Sequence, residues 1–486
     1  MKNNIGFITQ RVSIVVMLGA LTFLGTSCSD LMENPKALVS EVNFYNNKGE
    51  AEAGLIGAMS QAYAAADVGL GPDDVKYNSY TDSNHDGIRD FPIVLDTDYG
   101  TVNWTAAYKS IANANTVIRA ANSKKIAGVT ESELAEIVGQ ARFIRAFNYF
   151  NLVRLYGDIP LIIEDSPNPV SNTYERTSVA NVYSQITLDL EDAAKTLPDS
   201  WANTPGRPTR WAAKGLLSKV YLTMATAPLK QADNYAKAAS VAKEVIDSKM
   251  FTLIPNVADV FKIDSKRESE MMFAFEATTD APTGYAIGLA SKNSGGYSTG
   301  ALDTIFAAYE FPDQPRRDAY IQLNIPDVIH PDATGNWKLI PWKEAFEYAP
   351  IIAKYNYPYV DAYDIYKKVV WPMNAPILRY ADVLLVYAEA ANRVSGKPTT
   401  EAVNAINLVI NRANGSTGHE PLATIGMTMQ DFENKVIMER KFELCFEFGN
   451  RWFDMVRKEL TKNHITTTLF PIPEFDAKIL GQNPGY

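Results

Sequence analysis

The sequence is poor in the side chains that usually carry covalent or metal chemistry. Two cysteines, Cys28 and Cys445, and four histidines are spread over 486 residues. Cys28 follows a run of small residues near the N-terminus and Cys445 sits in a helical stretch, so no intramolecular disulfide is expected. His85, His330, His419 and His464 fall in turns or loops, without HExxH or paired-ligand spacing for zinc. There is no GxSxG elbow, P-loop or dinucleotide fingerprint. Catalytic groups could still converge from distant positions. Basic charge is also short: 46 Lys and Arg stand against 56 Asp and Glu, for a net charge of −10. Without a basic stripe to meet phosphates, nucleic acid is excluded as a partner. Long apolar runs are missing too. Residues 12–24 form one short run, whose helix would rise about 20 Å against a hydrocarbon core of about 30 Å, so it does not span.

That short run has a different use. Lys2 and Arg11 precede or open it, and Gly25, Thr26 and Ser27 lead directly into Cys28. This is the layout of a secretory leader. The string LGTSC resembles a bacterial lipoprotein box, which implies removal of residues 1–27 and lipid attachment to Cys28. A plain signal peptide with an incidental cysteine is the alternative. More than one acyl chain gives stable anchoring where a single chain is marginal, so the mature chain, residues 28–486, is expected to be tethered and not embedded.

What the chain does have is helix. Residues 136–163, EIVGQARFIRAFNYFNLVRLYGDIPLII, place Ile137, Val138, Ala141, Ile144, Leu152 and Leu155 at three-and-four spacing with no proline among them. Gly157 should end the helix in a left-handed cap, and Pro160 blocks its resumption. Arg142, Arg145, Asn148 and Arg154 share it with Phe143, Phe147, Tyr149, Phe150 and Tyr156. Too many faces are apolar or aromatic for one side to lie in water. The expectation is a central helix surrounded by others.

Around it, residues 48–65 and 104–124 read as helices, and residues 178–249 as three helices separated by turns. Thr209 is a candidate N-cap after the Pro205-Gly206-Arg207-Pro208 break. Residues 378–394 and 400–414 form another pair, and 429–458 closes the scaffold. The fold class expected is mainly α: tetratricopeptide-like helical pairs, too irregular for a clean repeat, with a long loop-rich insertion. The scaffold covers about 48–250 and 375–460 of a single unit. Trp104, Trp211, Trp371 and Trp452 lie in or beside helical motifs and are assigned to the core.

Two stretches abandon helical spacing, residues 69–100 and 251–370. Loops of that length are seldom idle. Their aromatic content can support burial, so they are read as loops, short strands and small helices over the scaffold. The first contains DSNHDGIRD, which puts Asp82, Asn84, Asp86, Gly87 and Asp90 at positions 1, 3, 5, 6 and 9 of a calcium-loop pattern, with Ile88 offering its carbonyl. The twelfth position is Ile93, not a bidentate glutamate, so a solvated Asp/Asn turn competes with a Ca²⁺ site. Both stretches also hold what a sugar needs. Flat C–H faces edged by hydroxyls call for aromatic platforms ringed by amides and arginine. The candidates are Tyr77, Asn78, Tyr80, Arg89 and Tyr99 in the first stretch, and Tyr285, Asn293, Tyr297, Trp337 and Trp342 in the second.

One constellation invites catalysis. Glu439, Glu443 and Glu447 fall at i, i+4 and i+8, with Arg440, Lys441, Arg451 and Arg457 nearby. Paired carboxylates are the equipment of a glycosidase. They are also the equipment of an ion-paired face that locks neighbouring helices, and such helical charge pairs are common. The second reading is preferred. Cys445, beside Leu444 and Phe448, reads as a buried, inert thiol.

Five strings recur in order: QARFIRAFNYFNLVRLYGDIPLI, GRPTRWAAKGLLSKVYL from Gly206, RYADVLLVYAEAAN from Arg379, IMERKFELCFEFGNRWFDMVR from Ile437, and LFPIP with QNPGY at the terminus. Together the chain resembles the RagB/SusD-like outer-membrane nutrient-binding lipoproteins over essentially its mature length. The resemblance implies a right-handed superhelix of helical pairs, ligand sites on loops over the scaffold, and a surface-facing lipoprotein at the outer membrane. It implies oligosaccharide capture and delivery to a SusC-like TonB-dependent transporter, with the membrane met only through lipid. A RagB-like peptide carrier and, less favoured, a glycan hydrolase are the alternatives. The resemblance carries no required cofactor and fixes no ligand residue.

Overall fold

The computed structural model describes residues 44–66, 97–123, 126–164, 174–201, 206–265, 269–277, 312–327, 330, 332–334, 338–344, 351–352, 354, 374–445, 447–460 and 467–484. Internal contacts divide the chain into two units, Met1–Phe44 and Tyr45–Tyr486, and all of the described helices and strands belong to the second.

The central helix forms as its spacing requires. It is α3, Glu131–Tyr156, preceded by α1, Lys48–Ala66, and α2, Thr97–Asn122. Thr130 and Glu133 close a reciprocal capping box: the Glu133 amide donates to the Thr130 hydroxyl at 3.2 Å, and the Thr130 amide to the Glu133 carboxylate at 2.9 Å. Two of the orphan donors at the helix start are thereby satisfied. Gly157 ends the helix with φ 73° and ψ −127°, its N–H donating to Val153. The positive φ is the expected one, although ψ lies outside the left-handed helical well. From Phe143 to Val153 every side chain of α3 is buried. That explains how so aromatic a helix can exist: α1, α2 and α4, Val179–Thr196, all pack on it.

Two of its polar groups, Arg145 and Asn148, are buried with their partners. Arg145 grips Asp189 of α4 through Nε–Oδ2 at 2.8 Å and Nη2–Oδ1 at 2.7 Å, and reaches Asn115 of α2 at 2.8 Å. Asn148 donates to Ser110 of α2 at 2.9 Å. Arg142 pairs with Asp192 at 2.6 Å. Arg145 and Asn148 thus tie particular neighbours in register, because a buried donor left unpaired would cost the full desolvation penalty.

The scaffold continues as α5, Arg210–Ala225, and α6, Asn234–Asp247, with Thr209 capping α5 through the Ala212 amide at 3.1 Å. Strand β1, Met271–Phe275, pairs antiparallel with β6, Ala375–Arg379, in the register Phe275↔Ala375 to Met271↔Arg379. The helix expected from residue 378 therefore starts later, as α8, Tyr380–Ser395. Pro376 pushes the residue before it toward extended backbone, and the strand uses that bias. Between β1 and β6 lie α7, Gln314–Tyr320, β2, Ile321–Gln322, and β3, Asn324–Pro326. They are followed by β4, Leu339–Pro341, and β5, Ile351–Ile352. β2 pairs with β5 and β3 with β4. Short strands and small helices are what the insertion was expected to hold.

α9, Thr400–Asn414, completes the pair with α8. The closing segment, 429–458, forms two helices, α10, Met429–Glu443, and α11, Asn450–Arg457, so the helical face expected to carry Glu447 ends before it. Phe448 at φ 41° and Gly449 at φ 69° reverse the chain between them. A last short helix, α12, Glu474–Leu480, has no buried residue. Among the described residues there are twelve α-helices and three two-stranded sheets. The protein is mainly α, built from tetratricopeptide-like helical pairs with the loop-rich insertion. No described helix is long and apolar enough to cross a membrane.

Candidate functional site

The predicted ligand residues fall mostly outside the described set. Tyr77, Asn78, Tyr80, Arg89, Tyr285, Asn293, Tyr297 and Trp337 lie there, as do the calcium-loop residues Asp82, Asn84, Asp86, Ile88 and Asp90, the lipid-attachment Cys28, and Trp371. Two are placed in the backbone. Tyr99, expected in the irregular stretch, lies in the first turn of α2, because that helix begins at Thr97 and not near Trp104. Trp342 opens a 3₁₀ turn, Trp342–Glu344, directly after β4. Of the tryptophans assigned to the core, Trp104 and Trp452 are buried, while Trp211 is only partly so.

The described residues that flank the two stretches converge. Tyr63, just before the first stretch, meets Phe275 at the end of β1 edge to face, with ring centroids 5.5 Å apart. Phe275 and Phe273 in turn pack on Phe147 and Phe143 of α3, at 5.9 Å and 4.8 Å. Two residues beyond β1, the Ala277 amide donates to Asn374 at 3.0 Å, just ahead of β6. Ala66 and Ile377 both line one small cavity of about 30 Å³, with Asn151, Lys219 and Asn450. Gly206 joins the same place: a Cβ there would sit 2.5 Å from the Glu276 side chain, and its φ of 84° already disfavours other residues. The central helix therefore seats β1, within the second stretch, and Tyr63, ahead of the first, in one aromatic cluster. Edge-to-face rings of this kind add to area burial and fix orientation.

The carboxylate trio is structural. Glu439, Glu443 and Glu447 are 0%, 0% and 4% exposed. Their partners are not the nearby basic residues that the sequence pointed to. Arg316 of α7 donates to Glu439 at 2.6 Å, and Arg412 of α9 to Glu443 at 2.6 Å. Arg379 of β6 and Lys354 hold Glu447, both at 2.6 Å. Arg440 and Arg457 instead serve Asp454, at 2.8 Å each, with Asp382 and Glu389 as their other partners. The interruption after α10 removes Glu447 from the helical face and turns it toward β6. Burial would raise the Glu443 carboxyl, but Arg412, Arg379, Arg316 and Lys354 hold it down at about 2. Burial pushes the Glu439 carboxyl up instead, Arg316 opposing and Glu420 adding to the rise. A raised carboxyl can signal a general acid. Here it has no solvent exposure and is clamped by an arginine, so it cannot meet a glycosidic oxygen. Among the described residues no cluster of three His, Cys, Asp or Glu side chains could hold a metal ion. Cys445 is buried, as expected, with its Sγ 3.8 Å from Lys354.

The comparisons agree with this architecture. A family described as "Starch-binding associating with outer membrane" matches residues 71–222, and the SusD family matches residues 350–468. The SusD-like protein P2 of Formosa agariphila is 27% identical, over 96% of this chain and 94% of that protein. A SusD-like protein of Bacteroides ovatus is 25% identical, over 91% and 81%. Among solved structures, a SusD homolog from Bacteroides thetaiotaomicron superposes with a TM-score of 0.73 at 23% identity, covering 92% of this chain and 98% of that one. A laminarin-binding SusD-like protein does so at 0.67 and 22%, covering 91% and 100%. The helical pairs, the two-stranded β1–β6 ribbon and the family matches at both ends of the scaffold lead to one conclusion: the chain belongs to the SusD/RagB family.

Proposed function

We propose that this protein binds oligosaccharide through the two irregular stretches and delivers it to a SusC-like TonB-dependent transporter of the outer membrane. The observation that supports the reading is that described residues beside these stretches meet: Tyr63, ahead of the first, packs on Phe275, and Ala277, within the second, donates to Asn374 beyond it. A site assembled from two loops over a rigid base suits a ligand that offers flat faces and many hydroxyls. A laminarin-binding SusD-like protein and a surface glycan-binding protein of Bacteroides uniformis are among the structural neighbours, which supports a sugar as cargo. The chain acts by binding and not by hydrolysis. Lipid on Cys28 holds it at the cell surface. A lipid-tethered helical body carries nothing across a bilayer by itself, so the cargo must pass to a protein that can.

The test is an oligosaccharide array with the chain lacking residues 1–28, followed by titration of the best binder and an assay for new reducing ends. Saturable binding with no new ends is expected. Steady release of reducing ends that scales with protein would replace the binding reading with a hydrolase.

A further inference from the structure

A cleft of about 730 Å³ opens where α3, α5 and α11 end and α4 begins. Its walls are largely apolar, with Val153, Phe453, Val456 and Leu469 among them. Four cations also line it, and they are not equally satisfied. Lys230 is paired with Glu459 at 2.9 Å, and Arg457 with Glu389 and Asp454. Arg154 and Arg176 are different. Arg154 donates only to neutral oxygens, the Phe150 carbonyl at 2.9 Å and Asn151 at 2.6 Å. Arg176 likewise donates to the carbonyls of Asp158 and Tyr156 and to the Asn483 amide oxygen. Among the described residues no carboxylate pairs with either.

Arg154 is also fixed in place. Its guanidinium lies between two rings, 3.7 Å from the Phe150 centroid and 3.6 Å from that of Phe453. Burial lowers it to about 10, with Tyr183, Asp382 and Asp454 pulling the other way. Beside it, Tyr183 is 2% exposed, lines the same cleft, and makes no hydrogen bond through its hydroxyl among the described residues. Both pack on the Phe150 ring, the Tyr183 ring at 6.2 Å and the Arg154 guanidinium at 3.7 Å. A phenol hydroxyl at a largely apolar wall gains from a strong acceptor. An oxyanion between them would satisfy both at once.

We propose that this cleft binds a small organic carboxylate, with the carboxylate on Arg154 and Tyr183, Arg176 at the rim, and the apolar body on Val153, Phe453 and Leu469. A planar guanidinium held by two aromatic faces presents its remaining N–H groups in a fixed fork, which matches a carboxylate. The ring-lined walls then supply burial for the rest of the molecule. This inference does not rest on the carbohydrate reading, because none of its residues belongs to the aromatic set on the irregular stretches.

Isothermal titration of the purified protein with phenylacetate, and with the neutral isostere phenylacetamide, tests it. One saturable site for phenylacetate is expected, with phenylacetamide about tenfold weaker, the difference between a charged and a neutral hydrogen bond. Tyr183→Phe should weaken phenylacetate about three- to tenfold on the same scale, and Arg154→Met should abolish binding. Should Arg154→Met fail to fold, Tyr183→Phe and the isostere pair still decide the matter. No saturable phenylacetate binding, equal affinity for the two probes, or unchanged affinity in Tyr183→Phe would each overturn the proposal.

Discussion

Arg379 and Glu447, 68 residues apart in sequence, are joined by two parallel hydrogen bonds, Nε to Oε2 at 2.9 Å and Nη2 to Oε1 at 2.6 Å. The pair fastens β6 to the turn between α10 and α11 in a place where both side chains are buried. Glu270 and Glu443 extend it on the arginine side and Lys354 on the glutamate side. Charges in such a place are stabilising only while all of them remain paired.

Removing one member therefore costs more than removing both. Glu447→Ala should destabilise the protein by about 3–5 kcal/mol, because it strands the buried Lys354 ammonium and takes one carboxylate from Arg379. Lys354→Met combined with Glu447→Leu should cost less than the single change, because Arg379 keeps Glu270 and Glu443. Urea unfolding of the three proteins checks this, and a double variant as weak as the sum of its parts would contradict it.

Acid should act through Glu443. Its folded carboxyl titrates at about 2 against an ordinary value of 4.5. The folded state thus binds fewer protons, so the contribution is whole above 4.5 and drains away as the pH falls toward 2. Glu443→Gln should be less stable than the native protein at pH 7, and the gap should close across that acid window. A gap that does not change with pH would rule out the ionised glutamate as its source.

Gly215 of α5 faces the β1–β6 ribbon at a distance no side chain tolerates. A Cβ there would lie 2.8 Å from Leu378, 2.9 Å from Met272 and 3.3 Å from Val383. Three neighbours from two strands and α8 would have to move together. Gly215→Ala should lose about 1–3 kcal/mol, despite alanine's better helix propensity. An increase in melting temperature would show that the contact relaxes freely.

Ligand affinity should follow the loop aromatics. Tyr297→Ala and Trp337→Ala should each weaken oligosaccharide binding by on the order of 1 kcal/mol while thermal stability is retained. Unchanged affinity in the two together, with the fold intact, would place the site elsewhere.

Calcium is a separate question. If residues 82–90 close around Ca²⁺ through Asp82, Asn84, Asp86, the Ile88 carbonyl and Asp90, calcium should raise the melting temperature, and Asp86→Ala should remove that rise by mass action. Identical melts in calcium and in chelator would dismiss the site.

The sequence determined the local elements and the family. Three-and-four spacing gave α3, Thr209 and Gly157 marked its neighbours' start and its own end, and the five ordered strings carried the resemblance, because all of these depend on residues close together in the chain. Boundaries shifted where local and distant forces competed. Residues 378–379 read as helix but pair with β1, and the helical face read through Glu447 stops at Glu443. Only the tertiary structure decided which charges meet. Glu439, Glu443 and Glu447 share a sequence neighbourhood with Arg440 and Arg457, yet they bind Arg316, Arg379 and Arg412, brought from elsewhere by the packing of α7, β6 and α9. The same holds for the Arg154 cleft and for the junction of Tyr63 with Phe275. Helical periodicity is written in steps of a few residues, whereas the pairing of buried charges and the meeting of loop ends depend on which elements pack together, and no local spacing encodes that.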